Sequence, residues 1–311
     1  MGASLAVDEG AADAYELAGR VSLPSTSPEE LPGLHNVCHL SESVISGSEP
    51  QGEEAFRHLS ELGVRTILSV DGKVPDQELA AKYGMRYVHA PIRYNGIEDE
   101  ELLQIAKTFR ELDGPFYVHC FHGKHRGPAA AAVGRIVIDG AERVRAVAEM
   151  RQWCGTSKKY KGLYETLAAR PIPSAEETAA YDWDFPADKP MRGLRSAMVD
   201  LARHFDMLEL AVLNDFEYDP EHPDVDAHNE SLILRDLFES SLELDELDQH
   251  PADFRASLES SFQASVQITE LLRNLGEVQL QPSARAAALE AFEVIDQNCA
   301  SCHKSYRNQK R

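Results

Sequence analysis

Residues 116–132, "FYVHCFHGKHRGPAAAA", decide how the first half of the chain folds. The apolar opening "FYVH" is typical of a buried strand, and the small residues at the end are typical of a helix that begins at Pro128. A turn with one cysteine, one arginine and two glycines lies between them. Such a strand, turn and helix start direct successive backbone N–H groups toward one point, which predicts an anion-binding cradle.

The side chains of this turn predict a nucleophile beside a clamped anion. Gly123 permits the backbone to bend, and Arg126 can return across the turn to bind two oxygens of a tetrahedral oxyanion. The Cys120 thiol lies in the same positive field, so we expect it to be a thiolate at neutral pH. A thiolate beneath a bound phosphate can attack phosphorus and form a cysteinyl-phosphate that water hydrolyses.

The segments on either side of this turn alternate between strand and helix patterns. "SVISG", "RTILSV", "MRYVHAPI" and "PFYVHC" are typical of strands, and helical segments such as "GEEAFRHLSELG" and "DEELLQIAKTFRELDG" separate them. This alternation predicts a three-layer α/β domain over residues 34–170, with a mostly parallel central sheet covered on both faces. Residues 1–33 lack sustained periodicity, which predicts a flexible N-terminal arm.

The stretch "HCFHGKHRG" resembles the HCxxGxxR signature of protein tyrosine and dual-specificity phosphatases. Its "GKHR" is particularly similar to the atypical dual-specificity enzymes that act on inositol pyrophosphates, and the likeness covers roughly residues 34–169. The resemblance implies that Cys120 is the nucleophile, that Arg126 clamps the phosphate and that His119 supports the thiolate. It also assigns substrate binding to the loop residues His119, Phe121, His122, Gly123, Lys124, His125 and Gly127.

Two departures from the family pattern concern the leaving group. Gly127 stands where the family usually has a serine or threonine, and "VHAPIRYN" carries no carboxylate where the family takes its general acid. Asp71 is one substitute, since it follows a strand and should reach the same sheet edge as Cys120; a turn role is the alternative. Asp99 is the other, although it also suits a helix cap or first turn. Leaving groups of low pKa, such as a pyrophosphate, need little protonation.

Charge is distributed unevenly along the 311-residue chain. Of the net charge of −21, residues 1–170 carry −5 and residues 171–311 carry −16, while residues 116–170 carry +6. A basic segment in an acidic protein argues against nucleic acid as a partner and favours a small anion. Lys124, His122 and His125 suit a polyanionic substrate such as an inositol phosphate, with solvated surface charge as the alternative for the two histidines. A buried cysteine beside a solvated basic turn is the alternative for the whole motif.

Residues 171–189 are rich in proline and predict a linker, and residues 190–311 are helical throughout. Two helices carry apolar residues at alternating spacings of four and three, which predicts a four-helix bundle. These predicted seams are Leu194, Met198, Leu201, Phe205, Leu208 and Val212 on the first helix, and Ala288, Phe292, Ile295, Cys299, Cys302 and Tyr306 on the last.

The C-terminal "CASCH" has the C-x-x-C-H spacing of covalent haem attachment. Cys299 and Cys302 would form the thioethers of haem c, and His303 would ligate the iron. A zinc site and a redox-active dithiol are the alternatives. The helix "ALEAFEVIDQNCASCHKSYR" resembles that of cytochrome c′, which implies that Met198 lies over the open haem face, as an iron ligand or as part of the pocket; His204 is a less favoured ligand.

Haem of this type is attached outside the cytoplasm, so we expect a periplasmic or otherwise exported protein, although no signal peptide is visible and no apolar stretch is long enough to span a membrane. Cys38 and Cys154 are expected to be buried hydrophobes, with a disulfide as the alternative.

Taken together, the two motifs predict a cysteine-dependent phosphatase joined to a haem module. That module would sense redox state or a diatomic gas, or transfer electrons to a redox partner, and the helical bundle offers a surface for a homodimer. A catalytically weak anion-binding pseudophosphatase that serves a haem sensor is the alternative, and simple electron transfer is a third hypothesis.

Overall fold

The computed structural model describes residues 13–188, 193–217, 226–273 and 280–307. The chain divides into two compact units, Met1–Pro190 and Met191–Arg311. Each unit has its own apolar core, and the described residues include no helix both long and apolar enough to cross a bilayer.

The N-terminal unit is built on a mixed six-stranded sheet with the order β1-β2-β3-β6-β4-β5. Strands β3, β6, β4 and β5 are parallel, as predicted, whereas β1 and β2 add two antiparallel strands at one edge. The strands are β1 Glu29–Leu31, β2 Leu34–His39, β3 Val44–Gly47, β4 Thr66–Ser69, β5 Arg86–His89 and β6 Phe116–His119.

The central strand β6 pairs with β3 on one side and with β4 on the other, and the three strands end at the same position in the sheet. His119, its last residue, pairs with Gly47 of β3 and with Ser69 of β4. Because all three strands are parallel and end together, the loops that follow them meet at one edge of the sheet. This register brings residues 48–50, 70–73 and 120–125 together.

Helices cover both faces of the sheet and create two cores. Alternate residues of a strand point to opposite faces, so Tyr117 packs with Phe56 and Ile67, while Val118 packs with Phe109 and Ala130. Burial on both faces explains why β6 is apolar without alternation. The helices are α1 Ala14–Arg20, α2 Gly52–Glu61, α3 Gln77–Lys82, α4 Asp99–Glu111, α5 Arg126–Val137, α6 Arg143–Gln152, α7 Lys161–Ala169 and α8 Ala175–Ala180.

The prediction of a flexible arm is wrong for residues 13–33, which contain α1 and β1. Asp13 caps α1 by accepting a hydrogen bond from the Glu16 N–H at 2.9 Å. The Gln152 amide on α6 donates to the Ala18 carbonyl at 2.7 Å, and Ala18 is buried in the core. The sequence does not reveal this helix because the residues that cover it lie more than 100 positions further along the chain. Residues 1–12 lie outside the part of the chain that the structure describes.

The predicted linker is also structured over most of its length. Ser174 and Glu177 form a capping box that begins α8. The Lys107 ammonium on α4 donates to the Thr178 carbonyl at 2.9 Å, and the Pro186 carbonyl accepts from the His89 N–H at 2.8 Å. Residues 174–186 therefore pack on the N-terminal unit rather than separating the units, and residue 189 lies outside the described part.

The C-terminal unit consists of helices that share one apolar core. Every residue of the two predicted seams contacts that core, which confirms the predicted inward faces of the first and last helices. The rings of Phe205 and Phe292 stack with centroids 4.7 Å apart. The four-helix bundle arrangement stays a prediction. The elements are α9 Gly193–Leu213, α10 Ala227–Leu242, α11 Ala252–Leu272 and α12 Pro282–Cys302, with a 3-10 helix at Asp245–Gln249 and a π-helical turn at His303–Arg307.

Candidate active site

The loop of residues 120–125 connects β6 to α5 and makes its sharpest bend at Gly123. Gly123 has φ +71°, and a Cβ atom there would collide with the backbone of Gly47 and Ser48. Only glycine meets both requirements without strain. The predicted role of Gly123 as the flexible point of the turn is therefore supported by the space around it.

Carbonyl groups of the loop are held by residues outside it. The Phe121 carbonyl accepts a hydrogen bond from the Glu49 N–H at 3.0 Å, and the His122 carbonyl accepts from the Asn36 amide at 2.9 Å. The Lys124 carbonyl accepts from the Thr156 hydroxyl at 2.6 Å. In a planar trans peptide the N–H and the C=O point in opposite directions. Because each of these carbonyls points toward a residue outside the loop, the N–H groups of residues 122, 123 and 125 point away from those outside residues. This arrangement supports an anion cradle.

Cys120 lies at the start of the loop, directly beside the first turn of α5. It is 2% exposed and lies on the same sheet face as Val118. Helix α5 begins at Arg126, two residues before the predicted start at Pro128. The first N–H groups of a helix have no partner within the helix, so a proline in the first turn removes no hydrogen bond.

Arg126 is buried and held on two sides. Its Nη2 donates to the Asp71 carboxylate at 2.9 Å, and its Cζ lies 4.3 Å from the centre of the Tyr94 ring. Burial alone would lower the pKa of Arg126, but the Asp71 carboxylate, followed by Tyr94 and Cys120, raises it above its ordinary value. Its buried Nε has no acceptor among the described residues. One donor of a charged guanidinium therefore remains for an external anion.

Asp71 reaches the loop, as its position after β4 predicts. Its side chain is only 3% exposed. Oδ2 accepts hydrogen bonds from Arg126 and from the Phe121 N–H, the latter at 2.7 Å, and Oδ1 accepts from the Lys73 N–H at 3.0 Å. The carboxylate is thus engaged with the cradle itself.

Asp99 occupies a different environment. It is the first residue of α4, its side chain is 90% exposed, and it forms an ion pair with Arg170 at 2.8 Å. Glu98, together with Glu101, forms the capping box of this helix. Asp99 therefore belongs to the first turn rather than the cap, and no hydrogen bond or ion pair joins it to the cysteine loop among the described residues.

The histidines of the motif have separate environments. His119 points away from the Cys120 face, and its Nε2 lies 2.6 Å from the Tyr87 hydroxyl. His125 lies against the rings of Tyr94 and Tyr160, and burial, followed by His122, lowers its pKa to about 4. The expectation that His125 adds positive charge is therefore wrong at neutral pH.

Two exposed basic residues and one buried tyrosine also belong to the site. Lys124 and His122 are exposed to solvent. Tyr94 is a site residue that the sequence analysis missed; burial raises its pKa to about 12, so its hydroxyl stays neutral. Tyr94 lies in "VHAPIRYN", the segment from which phosphatases of the resembled family take their general acid, and this position is the only sequence feature that connects it with the site. The sequence of this segment does not indicate that the ring packs on Arg126.

All five cysteines are free thiols in the structure. Cys38 and Cys154 are buried, as expected, and the Cys38 thiol lies 3.5 Å from the Trp153 carbonyl that accepts its hydrogen bond. The hydrogen bond with Cys38, and burial, raise the pKa of Cys154. Neither thiol is part of the cradle.

The C-terminal motif lies at the end of α12. Cys299 and Cys302 are partly buried against the same core as Met198, and His303 begins the π-helical turn. Burial raises the pKa of Cys299 to about 12 and also raises that of Cys302. Two free thiols on one apolar face, followed by an imidazole, are the donor set that haem c requires, so these residues fit the group.

The zinc alternative for this motif, and His204 as an iron ligand, find less support. Across the described residues no group of three or more His, Cys, Asp or Glu side chains could hold a metal ion, so the zinc alternative lacks a ligand set. His204 lies off the core, and its Nδ1 is 2.7 Å from the Glu230 carboxylate on α10.

Comparisons with known proteins find relatives for part of the chain. No family model matches the chain. The dual specificity protein phosphatase TpbA of Pseudomonas aeruginosa strain UCBPP-PA14 is 28% identical over 119 residues, which are 38% of this chain and 54% of that protein. The same protein from strain PAO1 is 27% identical over 118 residues. The chain thus spans about half the length of the curated relatives that it matches.

Solved structures match over a larger share of both chains. The crystal structure of P. aeruginosa TpbA matches with a TM-score of 0.38 at 22% identity, over 50% of this chain and 89% of that one. The core catalytic domain of the PP-IP phosphatase SIW14 from S. cerevisiae matches with a TM-score of 0.36 at 18% identity, over 50% of this chain and 93% of that one. In sequence, the chain is thus similar to a dual specificity protein phosphatase over 38% of its length.

Proposed function

We propose that the N-terminal unit is a cysteine-dependent phosphatase that acts through a cysteinyl-phosphate. The observation that carries this proposal is the buried Arg126, which is charged, fixed by Asp71 and Tyr94, and has an Nε donor without a protein acceptor among the described residues. A buried donor of this kind costs free energy unless a ligand satisfies it. A phosphate oxygen above the cysteine loop meets that need.

The chemistry follows from the positions of Cys120 and the loop. The Cys120 thiolate attacks phosphorus, so an S–P bond forms while the bond to the leaving oxygen breaks. The N–H groups of the loop and the Arg126 guanidinium stabilise the charge on the other phosphoryl oxygens. Water then attacks the same phosphorus, the S–P bond breaks, and inorganic phosphate leaves with Cys120 restored.

The leaving oxygen must acquire a proton, and both candidate acids are engaged in ion pairs. Asp71 binds Arg126 and Asp99 binds Arg170. We therefore propose substrates whose leaving groups need little protonation, such as a pyrophosphate of an inositol phosphate, with phosphoproteins as the broader class. The exposed Lys124 and His122 of the loop support a polyanionic substrate over an isolated phosphotyrosine.

Hydrolysis of an aryl phosphate and of an inositol polyphosphate, by the full chain and by its Cys120→Ser variant, tests this proposal. We expect the variant to lose at least about 10³-fold in rate, because serine at this position is not ionised. Cys38→Ser is the matched control, since Cys38 is an equally buried thiol outside the cradle. Equal rates for the wild type and Cys120→Ser would end the enzymatic proposal.

A catalytically weak anion-binding pseudophosphatase is the second candidate. Two observations favour it: Gly127 offers no hydroxyl to the thiolate, and both candidate acids are engaged in ion pairs. Isothermal titration with inorganic phosphate, run beside the hydrolysis assay, separates the two candidates. Binding that Arg126→Ala abolishes, without turnover above that of Cys120→Ser, would favour the pseudophosphatase.

For the C-terminal unit we propose covalent attachment of haem c through Cys299 and Cys302, with His303 as the iron ligand and Met198 on the open side. When bound, the haem would supply a redox centre and a site for a diatomic gas. The chain's own residues contribute two half-buried thiols and an apolar wall that includes Met198 and Tyr306. This attachment implies a periplasmic or exported protein with a redox partner. We further propose that the unit is a four-helix bundle and that it offers a homodimer surface.

Mass spectrometry of protein produced with a cytochrome c maturation system tests the attachment. We expect one covalently bound haem per chain, lost in the double variant Cys299→Ser with Cys302→Ser and retained in Cys154→Ser. An unmodified mass for the wild type would contradict the proposal. A reduced spectrum that CO does not change would favour simple electron transfer with two protein ligands on the iron.

A further inference from the structure

Asp71 joins the two ends of the cysteine loop through a single carboxylate oxygen. We propose that Asp71 is a positioning residue that holds the Arg126 guanidinium in its anion-binding arrangement and anchors the start of the cysteine loop through the Phe121 N–H, and that it is not the general acid. The inference rests on the proposed phosphatase function for its kinetic part. Its anion-binding part applies equally to a pseudophosphatase.

The geometry of the contacts carries this proposal. Oδ2 lies 2.9 Å from Nη2 of Arg126 and 2.7 Å from the N–H nitrogen of Phe121, the residue after the cysteine. Oδ1 lies 3.0 Å from the Lys73 N–H nitrogen, which ties the carboxylate to its own turn after β4. The loop after β4 therefore fixes both ends of the loop after β6.

Burial makes this contact necessary for the arginine. The side chains of Arg126 and Asp71 are 10% and 3% exposed. A buried guanidinium without a partner carries a large desolvation cost, and such a group would turn toward solvent or another acceptor. With Asp71 on one side and the Tyr94 ring 4.3 Å away on the other, the guanidinium has little freedom to rotate. Pre-organisation of this kind reduces the ordering cost when an anion binds.

The same contacts argue against a proton-donor role. A general acid must carry a proton before it acts, whereas three N–H donors directed at Asp71 stabilise its ionised form. Protonation would weaken the bond with Arg126 at the moment when the guanidinium must stabilise the transferring phosphoryl group. A further alternative is that the carboxylate competes with the bound anion for Arg126 and the Phe121 N–H. This alternative predicts that removing the Asp71 charge strengthens anion binding, whereas a positioning role predicts that it weakens it.

The test uses the full chain with Asp71→Asn, which keeps the size of the side chain and removes its charge. Hydrolysis is measured for a series of aryl phosphates whose leaving groups rise in pKa. A positioning role predicts that kcat/KM falls by the same factor, about 10- to 100-fold, for every leaving group. A loss that grows with the pKa of the leaving group identifies an acid and overturns the proposal.

Binding of inorganic phosphate supplies a second readout that does not need turnover. We expect Asp71→Asn to weaken phosphate affinity by about 10-fold, and tighter binding would favour the competing-anion alternative and overturn the proposal. Asp182→Asn, the same change at an exposed position, is the matched control. If Asp71→Asn does not fold, Asp71→Glu, which keeps the charge, carries the same measurements, and a uniform loss smaller than that of Arg126→Ala is expected.

The outcome remains separable from that of the proposed function. If Cys120→Ser hydrolyses the aryl phosphates as fast as the wild type, the phosphatase proposal fails whatever Asp71→Asn does. The phosphate-binding measurement then still tests Asp71, because weaker binding supports the positioning role and unchanged binding overturns it. An equal loss in the control variant would also overturn it.

Discussion

Cys120 and the Cys299–Cys302 pair are cysteine sites of two different kinds. Cys120 is 2% exposed, and its charged surroundings come from two segments, with Asp71 in the turn after β4 and Arg126 in the first turn of α5. Cys299 and Cys302 lie one turn apart on a single helix, where burial raises the pKa of Cys299 to about 12. The first site combines polar groups from two segments of the chain, whereas the second consists of two thiols on one helix, and burial raises the pKa of both.

The largest effect that would test this contrast is expected at Arg126. Arg126→Lys keeps the charge but removes the planar fork that binds Asp71 and the anion together. We expect kcat/KM to fall by about 10²- to 10³-fold, the effect typical of a lost oxyanion donor. Arg57→Lys on the exposed face of α2 is the matched control. Full activity in Arg126→Lys would mean that a simple positive charge suffices and that the site is not assembled as described.

The sequence could predict the parts of the first site that are contiguous. Cys120, Gly123 and Arg126 follow from one strand–turn–helix pattern, and topology alone brings the turn after β4, with Asp71, to the same edge. The partner of Asp71 could not be predicted, because the side chains of residues 71 and 126 become neighbours only when the strands pair in this register. The contact of Tyr94 with Arg126 could not be predicted for the same reason.

The fold divides in a similar way between local and distant determinants. Strands β3, β4 and β6 follow from short apolar runs that are buried on both faces, and helices α2 and α4 follow from the periodicity of the one face that each buries. Helices α1 and α8 depend on surfaces far along the chain, such as the Lys107 contact with Thr178. The inward faces of α9 and α12 were predictable because a heptad-like seam is local, even though the ligand that would meet Cys299 is not encoded in that pattern.

His125 provides a pH-dependent test of the assembled site. Its pKa of about 4 lies below the value of about 6.5 expected in the unfolded chain, so the unfolded state binds more protons between these values. The stability of the N-terminal unit should therefore fall as pH decreases from about 6.5 to 4, by at most about 3 kcal/mol from this residue.

Urea unfolding of the wild type and of His125→Phe, at pH 7 and near pH 4.5, measures the contribution of His125. The phenyl ring keeps the packing against Tyr94 and Tyr160 and cannot titrate. Both tryptophans, Trp153 and Trp183, belong to the N-terminal unit, so their fluorescence reports on that unit alone. We expect a smaller loss of stability in the variant. An identical loss would show that His125 is not a neutral, partly buried group of this site.

Thiol reactivity compares the two regions directly, because exposure and electrostatics predict opposite orders. Cys299 is the more exposed thiol, but its raised pKa leaves little thiolate at neutral pH. We expect iodoacetamide at pH 7 to modify Cys120 at least about 10-fold faster than Cys299 in haem-free protein, as measured by peptide mass spectrometry. Inorganic phosphate should protect Cys120 alone. Faster labelling of Cys299 would mean that access rather than the cradle governs reactivity.

The smallest expected effect concerns Gly127, where the first turn of α5 meets the cysteine loop. A Cβ atom there would lie 3.1 Å from the Cys120 nitrogen and 3.2 Å from the His119 carbonyl carbon, and neither backbone atom can move without disturbing the loop. Gly127→Ala should therefore lower the stability of the N-terminal unit by about 1 kcal/mol, even though alanine has the higher helix propensity. Gly127→Ser adds the same Cβ together with a hydroxyl that can support the leaving thiolate. Turnover of Gly127→Ser should exceed that of Gly127→Ala by a few-fold, and equal turnover would mean that this site does not use the hydroxyl even when it is supplied.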